Sequence, residues 1–317
     1  NNQEIDREYV NVIVDDRALH EIYLPAFKAA VQKGGTWAIM GAYNKYKNQF
    51  CCHNQYLLND ILKGDWKFDG VVVSDWGGTH ETDQAAYNGL DMEMGTWTDG
   101  LAWSWSNAYD KYFLATPFLI KLRNKEIAEK VLDEKVRRIL RLTFRTTMNP
   151  DRPYGSFATE EHALTARRIA QEGIVLLKNQ GNLLPLNPEQ PRKILVVGEN
   201  AKQMMTTGGG SSELKVKKEV LPWQGIENYF GTNSQIFYAQ GYSNNPAVNR
   251  HGLRKQAVEE ASKADVVIYV GGLNKKDNQD CEASDRRSYN LPYEQDQLIT
   301  ELAEANPNLV VVLISGN

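Results

Sequence analysis

Apolar residues recur at helical spacing between positions 16 and 32, at Leu19, Ile22, Tyr23, Phe27, Ala30 and Val31, and Gly34-Gly35 ends the pattern. The run Trp37-Ala-Ile-Met-Gly-Ala-Tyr43 predicts a short strand, and 55–62 a helix. Phe68-Asp-Gly-Val-Val-Val-Ser-Asp75 then has the near-continuous β-branched core of a strand buried on both faces. With a helix expected at 80–88 and a strand at 90–94, the series reads βαβαβ, an α/β architecture. A charged helix over 125–147 follows, with Ile127, Val131, Val136, Ile139, Leu140 and Phe144 on its apolar side.

Asn149-Pro-Asp-Arg-Pro-Tyr-Gly155 packs two prolines and a glycine into one short stretch, the composition of a linker. Two domains are therefore expected, residues 1–150 and 151–317. In the second, helices at 160–172, 252–263 and 293–305 alternate with strands at 174–177, 193–198, 265–271 and 309–314, which predicts a layered sheet with helices on both faces. A barrel of eight βα units needs about 250 residues. The first domain has room for only part of one, so the expected fold is the C-terminal part of a (β/α)8-type barrel followed by a partial α/β sandwich. The opening residues show neither an initiator Met nor a signal peptide, and the expectation is that the N-terminus lies upstream.

Composition narrows the function classes. Lys and Arg total 36 against 40 Asp and Glu, which gives no electrostatic reason for a nucleic-acid or anionic-membrane partner. No apolar run has the length of a membrane span. The three cysteines, Cys51, Cys52 and Cys281, have no C-x-x-C spacing, and the five histidines show no paired spacing, so no metal site is expected. Thr207-Gly-Gly-Gly-Ser-Ser212 lacks the Lys-Ser/Thr ending of a phosphate loop and the G-x-G-x-x-G of a dinucleotide fold. It is read as a flexible turn or a substrate contact.

Asp75 sits where a parallel strand gives way to its loop, the end that carries catalytic groups in barrel enzymes. Trp76 beside it offers a face for stacking on a sugar ring, and Gly77-Gly78 lets backbone pass close to a ligand. The competing role is a helix N-cap, common for Asp; the strand before it and the glycines after it favour catalysis. Trp97, Trp103 and Trp105 are divided between sugar stacking and loop packing.

Lys67-Phe-Asp-Gly-Val-Val-Val-Ser-Asp-Trp76 closely resembles the nucleophile segment of glycoside hydrolase family 3. Glu21-Ile-Tyr-Leu-Pro-Ala-Phe27, Met40-Gly-Ala-Tyr-Asn44, Gly173-Ile-Val-Leu-Leu-Lys-Asn179, Leu183-Leu-Pro-Leu186 and Asn308-Leu-Val-Val-Val-Leu-Ile-Ser-Gly316 resemble further segments of its bacterial β-glucosidase members, in the family's order. The resemblance implies a barrel carrying the nucleophile, Asp75, and a sandwich domain whose loop supplies the acid/base. Glu282 falls where the family's E-G-x-D-R pattern places that group, with Ala283 in place of the glycine and Asp277 and Asp280 as rival carboxylates. Tyr43 and Met40 match positions that line the sugar subsite; barrel packing is the alternative for Met40.

The implied activity is a retaining exo-acting β-glucosidase working on a β-glucoside or oligosaccharide, with no cofactor. A β-xylosidase or exo-glucanase of the same family stays open, as does an inactive carbohydrate-binding remnant. A sugar-nucleotide enzyme lacks its glycine fingerprint after Lys193-Ile-Leu-Val-Val-Gly198. A retaining pair of carboxyl groups lies roughly 5 to 5.5 Å apart, so two catalytic groups in different domains make rate depend on domain docking. A periplasmic or secreted address is expected from the resemblance alone, and oligomeric state is not legible. Residues 1–317 by themselves are expected to be inactive and poorly stable.

Overall fold

The computed structural model describes residues 3–95, 111–206, 210–277 and 279–315. They form two compact units, Asn1–Gly155 and Ser156–Asn317.

The first unit opens with β1 (Asn11–Val12) and a continuous helical stretch made of α1 (Asp16–Ala18), a π-helical turn (Leu19–Tyr23) and α2 (Leu24–Gln32). The Asp15 carboxylate accepts from Ala18 N at 2.7 Å and caps its start. β2 (Ala38–Met40) is followed by a hairpin of β3 (Lys45–Tyr46) and β4 (Gln49–Phe50). Its turn residues Lys47 and Asn48 have φ of 51° and 64°, the doubly left-handed turn that matches strand twist. A 3-10 turn (Cys51–His53) and a π-helical segment (Tyr56–Asp65) lead to β5 (Val71–Val73), α3 (Thr82–Tyr87), α4 (Thr116–Arg123) and α5 (Glu129–Arg145).

β2 and β5 pair in parallel, with Ala38, Ile39 and Met40 opposite Val71, Val72 and Val73. Side chains alternate across this pair. Ile39 and the fully buried Val72 face Leu58, Leu62, Phe68, Ala85 and Leu90, so Met40, Val73 and Asp75 share the opposite face.

Three sequence expectations change here. The strand expected at 90–94 is reduced to one parallel bridge, Val73 with Met92, because the Ser74 hydroxyl rather than backbone receives the Met94 N–H at 2.8 Å. Only Ala38–Met40 of the 37–43 run is strand, which leaves Tyr43 in the following loop. α5 turns a different face inward than its apolar residues indicate. Val136, Leu140 and Phe144 are exposed, whereas Lys135 is buried and donates to the carbonyls of Ala85 and Leu90. Arg138 donates to Phe68 O and Gly70 O at 3.1 and 2.9 Å, and Arg145 grips the Asp69 carboxylate through both nitrogens. The helix is oriented by carbonyls and a carboxylate at the start of β5 that need donors.

The second unit contains α6 (Glu160–Gly173), β6 (Lys193–Val197), α7 (Pro222–Phe230), β7 (Gln235–Ala239), α8 (Arg250–Ala261), β8 (Val266–Gly272), α9 (Gln295–Ala305) and β9 (Leu309–Ile314). The sheet is parallel throughout, in the order β7-β6-β8-β9. Alternate residues of β6 and β8 feed two cores. Leu195, Val197, Val267 and Tyr269 pack with Ala257, Leu298 and Leu302 from α8 and α9, and Ile194, Val196, Val266 and Ile268 pack with Phe230, Trp223 and Ile226 of α7. Helices thus cover both faces, and every residue of β8 is buried.

The apolar run 174–177 is not a strand. Its four side chains are exposed, and among the described residues no strand lies beside it to satisfy its backbone groups. Among the described residues no helix is long and apolar enough to cross a membrane.

Candidate active site

Asp75 lies two residues beyond the end of β5, half-buried, on the face it shares with Val73 and Met40. Its Oδ1 accepts from Tyr43 Oη at 2.9 Å and from Trp76 N at 2.7 Å. Among the described residues Oδ2 accepts nothing. The helix-capping role is filled by another residue: Glu81 accepts from Asp83 N and Gln84 N at the start of α3.

The loop around Asp75 is pinned on both sides. Gly41 N donates to Val73 O at 2.8 Å and Ser74 N to Met92 O at 2.9 Å, while Gly77 N donates to Met94 O and Gly95 O. Gly77 has φ of 73°, which a side chain would resist. Burial, the hydrogen bond to Asp75 and that carboxylate's charge together raise the Tyr43 phenol well above the ordinary tyrosine range, so it remains a donor. Arg7 lies over its ring, 5.2 Å from the centroid. Met40 is 55% exposed and Trp76 48% exposed, so both have a free face.

In the second unit the sheet order places a topological switch point between β6 and β8, where neighbouring connections run to opposite sides. Crevices form at the carboxyl ends of strands at such points, and the loop bearing Glu282 starts there. Asn200, just after β6, donates through Nδ2 to Leu273 O at 3.2 Å and ties the two strand ends together. The base of the loop is closed by Gln295, which is fully buried. Its Oε1 accepts from Gly272 N at 2.8 Å and Tyr269 Oη at 2.6 Å, and its Nε2 donates to Gly272 O at 2.9 Å.

Within the loop, Cys281 and Ser284 exchange backbone hydrogen bonds of 3.0 and 2.9 Å, which makes a tight turn with Glu282 at its tip. Ala283 has φ of 63° in that turn. The Glu282 carboxylate accepts from Ser211 N and lies against Gly210, where any side chain would collide with it. Of the rival carboxylates, Asp277 is engaged at both oxygens, by Asn244 Nδ2 at 2.6 Å and Tyr293 Oη at 3.2 Å.

Each catalytic candidate is thus placed within its own unit. Tyr43 is joined to Asp75, and the glycine-rich turn is joined to Glu282. Trp97, Trp103, Trp105 and positions 207–209 lie outside the described residues. Sequence reading missed Ser211, whose contribution is a backbone N–H that no residue type signals, and Cys52, whose side chain fills the space beside Gly41 and Gly78. Among the described residues no group of three His, Cys, Asp or Glu side chains is placed to hold a metal ion.

A carboxylate at the end of a parallel strand, with one oxygen fixed and one open, is an arrangement suited to attack on an electrophilic carbon. Comparison with known proteins fixes the class. The glycosyl hydrolase family 3 N terminal domain matches residues 3–142, and the glycosyl hydrolase family 3 C-terminal domain matches residues 174–317. The chain belongs to glycosyl hydrolase family 3, with part of the N-terminal barrel and part of the C-terminal α/β sandwich.

Beta-glucosidase BoGH3A of Bacteroides ovatus is 49% identical over the whole chain, which covers 44% of that protein. Thermostable beta-glucosidase B of Acetivibrio thermocellus is 33% identical, and an exo-alpha-(1->6)-L-arabinopyranosidase of Bifidobacterium longum 34% identical; the chain is matched in full and covers 40% of each. The solved GH3 beta-glucosidase of Bifidobacterium adolescentis superposes with a TM-score of 0.81 at 30% identity, over 99% of this chain and 43% of that one. The chain therefore spans less than half the length of these relatives.

Proposed function

We propose that the protein containing this chain is a retaining, exo-acting β-glucosidase in which Asp75 is the nucleophile and Glu282 the general acid/base. The observation that carries the reading is the unequal environment of the two Asp75 oxygens. Tyr43 Oη and Trp76 N hold Oδ1 in one orientation, and Oδ2 has no partner among the described residues. In the first step Oδ2 attacks the anomeric carbon, and Glu282 gives its proton to the departing aglycone oxygen. Glu282 then takes a proton from water, which attacks the same carbon and releases Asp75 as carboxylate. The net stereochemistry is retention, because the carbon is inverted twice.

Met40 and Trp76 are proposed to meet the sugar, as the partly exposed side chains flanking the nucleophile. The identity to a β-glucosidase, 49%, exceeds that to the arabinopyranosidase, 34%, and supports glucose as the preferred sugar. Reaction of the full-length enzyme with a 2-deoxy-2-fluoro β-glucoside, followed by peptide mapping, tests the assignment. Label on Asp75 is expected, and label on any other residue removes it. Turnover of nitrophenyl β-glucoside, β-xyloside and α-L-arabinopyranoside ranks the sugars. Glu282→Ala should lower turnover of substrates with poor leaving groups by about 10²- to 10⁴-fold and spare activated aryl glucosides at the glycosylation step.

A further inference from the structure

Cys52 is fully buried in the 3-10 turn after β4, and it touches both segments that build the setting of Asp75. Its Sγ donates to Ala42 O at 3.3 Å. A Cβ placed on Gly41 would lie 2.7 Å from Cys52 Cα and 3.0 Å from its sulfur, and one placed on Gly78 would lie 2.7 Å from the same sulfur. Neither glycine has a left-handed φ. Contact with Cys52, not backbone conformation, is therefore what excludes a side chain at both. Gly41 stands two residues before Tyr43. Gly78 stands three after Asp75 and donates to its carbonyl at 3.0 Å, and the Cβ site on Gly78 is 3.6 Å from the Tyr43 ring.

The geometry points to Cys52 as a positioning residue for the nucleophile: its side chain is the spacer that sets the distance between the Tyr43 loop and the Asp75 loop, and so the hydrogen bond that orients the attacking carboxylate. This rests on the reading of Asp75 as nucleophile. The thiol itself does no chemistry. Burial pushes it up to about 12, so it is a neutral donor at working pH, in keeping with its contact to Ala42 O. A hydrogen-bonded carboxylate displaced by a fraction of an ångström loses the aligned approach on which rate depends steeply. Cys51, its neighbour, has no such place; its sulfur meets the Asn44 amide at 3.5 Å.

The test uses the full-length enzyme and an activated dinitrophenyl glucoside, with the single-turnover glycosylation rate and KM read together. Cys52→Ala should slow glycosylation by about 10- to 100-fold, with KM changed by less than about threefold. Cys52→Ser, which keeps a small donor at the same place, should recover most of the rate. Gly78→Ala should be impaired alone, and Cys52→Ala combined with Gly78→Ala should react faster than either single variant, because the methyl moves into the space the sulfur left.

If Cys52 acts through the Tyr43 hydrogen bond, Cys52→Ala and Tyr43→Phe together should be no slower than the slower single variant, to within about twofold. A Cys52→Ala enzyme with normal glycosylation, fully multiplicative losses with Tyr43→Phe, or a double alanine variant slower than both parents each overturns the proposal. Should Cys52→Ala fail to fold, Gly78→Ala and Cys52→Ser decide: a slowed Gly78→Ala beside a near-parental serine variant supports the spacer, and a Gly78→Ala enzyme with parental glycosylation overturns it. Asp75→Asn separates the two readings. Retained turnover removes the nucleophile and this inference with it, whereas an inert Asp75→Asn with independent Cys52 and Tyr43 effects removes only the role of Cys52.

Discussion

His53 and His80 show how single side chains near the Asp75 loop carry conditions on stability. His53 Nε2 accepts from His80 N at 3.2 Å, which requires a neutral ring with its proton on Nδ1, facing Gln84 Oε1 at 3.2 Å. His80 stacks on Phe50 at 3.7 Å, and its buried Nε2 has no partner among the described residues. Burial, helped by His53 and Lys45, lowers His80 to about 4, and burial also lowers His53. Both groups hold a proton less tightly folded than unfolded. Their contribution is therefore complete above about pH 6.5 and lost as pH falls toward 4, where the unfolded chain gains protons that the folded one refuses. The midpoint of urea unfolding should drop less between pH 7 and 4.5 in a His80→Phe variant than in the parent, and equal slopes would refute this. Ala283 offers the opposite case. A side chain at φ of 63° costs about 1 kcal/mol relative to glycine, so Ala283→Gly should raise stability by up to that amount in thermal melts. Asp75 is legible in the sequence because a β-branched run delivers it to a strand end. Glu282 is legible only through resemblance, since a mixed-charge loop has no pattern of its own.

At the level of elements, strands were easier to read than the faces of helices. β6 and β8 announce themselves as apolar runs rich in Val and Ile because they are buried on both sides. α5 does not disclose its orientation, since Lys135 and Arg138 look solvent-facing and yet serve buried acceptors. Asp91 is concealed for the same reason. Its side chain is 2% exposed, accepts from Lys63 Nζ at 2.7 and 2.9 Å and from Val72 N at 2.8 Å, and has Arg138 Nε at 3.9 Å. Removing Asp91 leaves the Lys63 cation buried without its counter-charge, a loss of about 3 to 5 kcal/mol, while Arg138 keeps Glu134 at 2.9 Å. Asp91→Ala should accordingly show a large fall in unfolding free energy, and a change under 1 kcal/mol in denaturant titration would contradict the arrangement. The run 174–177 was misread because strand propensity describes a segment's fitness for a sheet and cannot supply the neighbouring strand.

On the scale of the whole molecule, apolar residues remain in contact with solvent in quantity. Ile174, Val175, Leu176 and Leu177 are more than 60% exposed, and Val311, Val312 and Leu313 on β9, an edge strand of its sheet, are 40–48% exposed. An uncovered edge with apolar flanks invites pairing with another copy. Residues 1–317 produced alone should elute as concentration-dependent oligomers and bind a hydrophobic dye, whereas a sharp monomer peak without dye binding would count against this. The alternation of helix and strand makes the α/β class legible and the length before the linker points to part of a barrel, whereas which strands would close it is not legible, because closure depends on strands that pair far along the chain. One buried amide has a last consequence. Because Gln295 holds Gly272 from the far end of the segment 273–294, the two feet of that segment are fixed together whatever stands at its tip, so the turn 281–284 can be exchanged while Leu273 and Tyr293 keep their places against the sheet. Under the proposed role of Glu282, grafting a relative's tip onto these feet is thus a route to new leaving-group preferences on an unchanged scaffold.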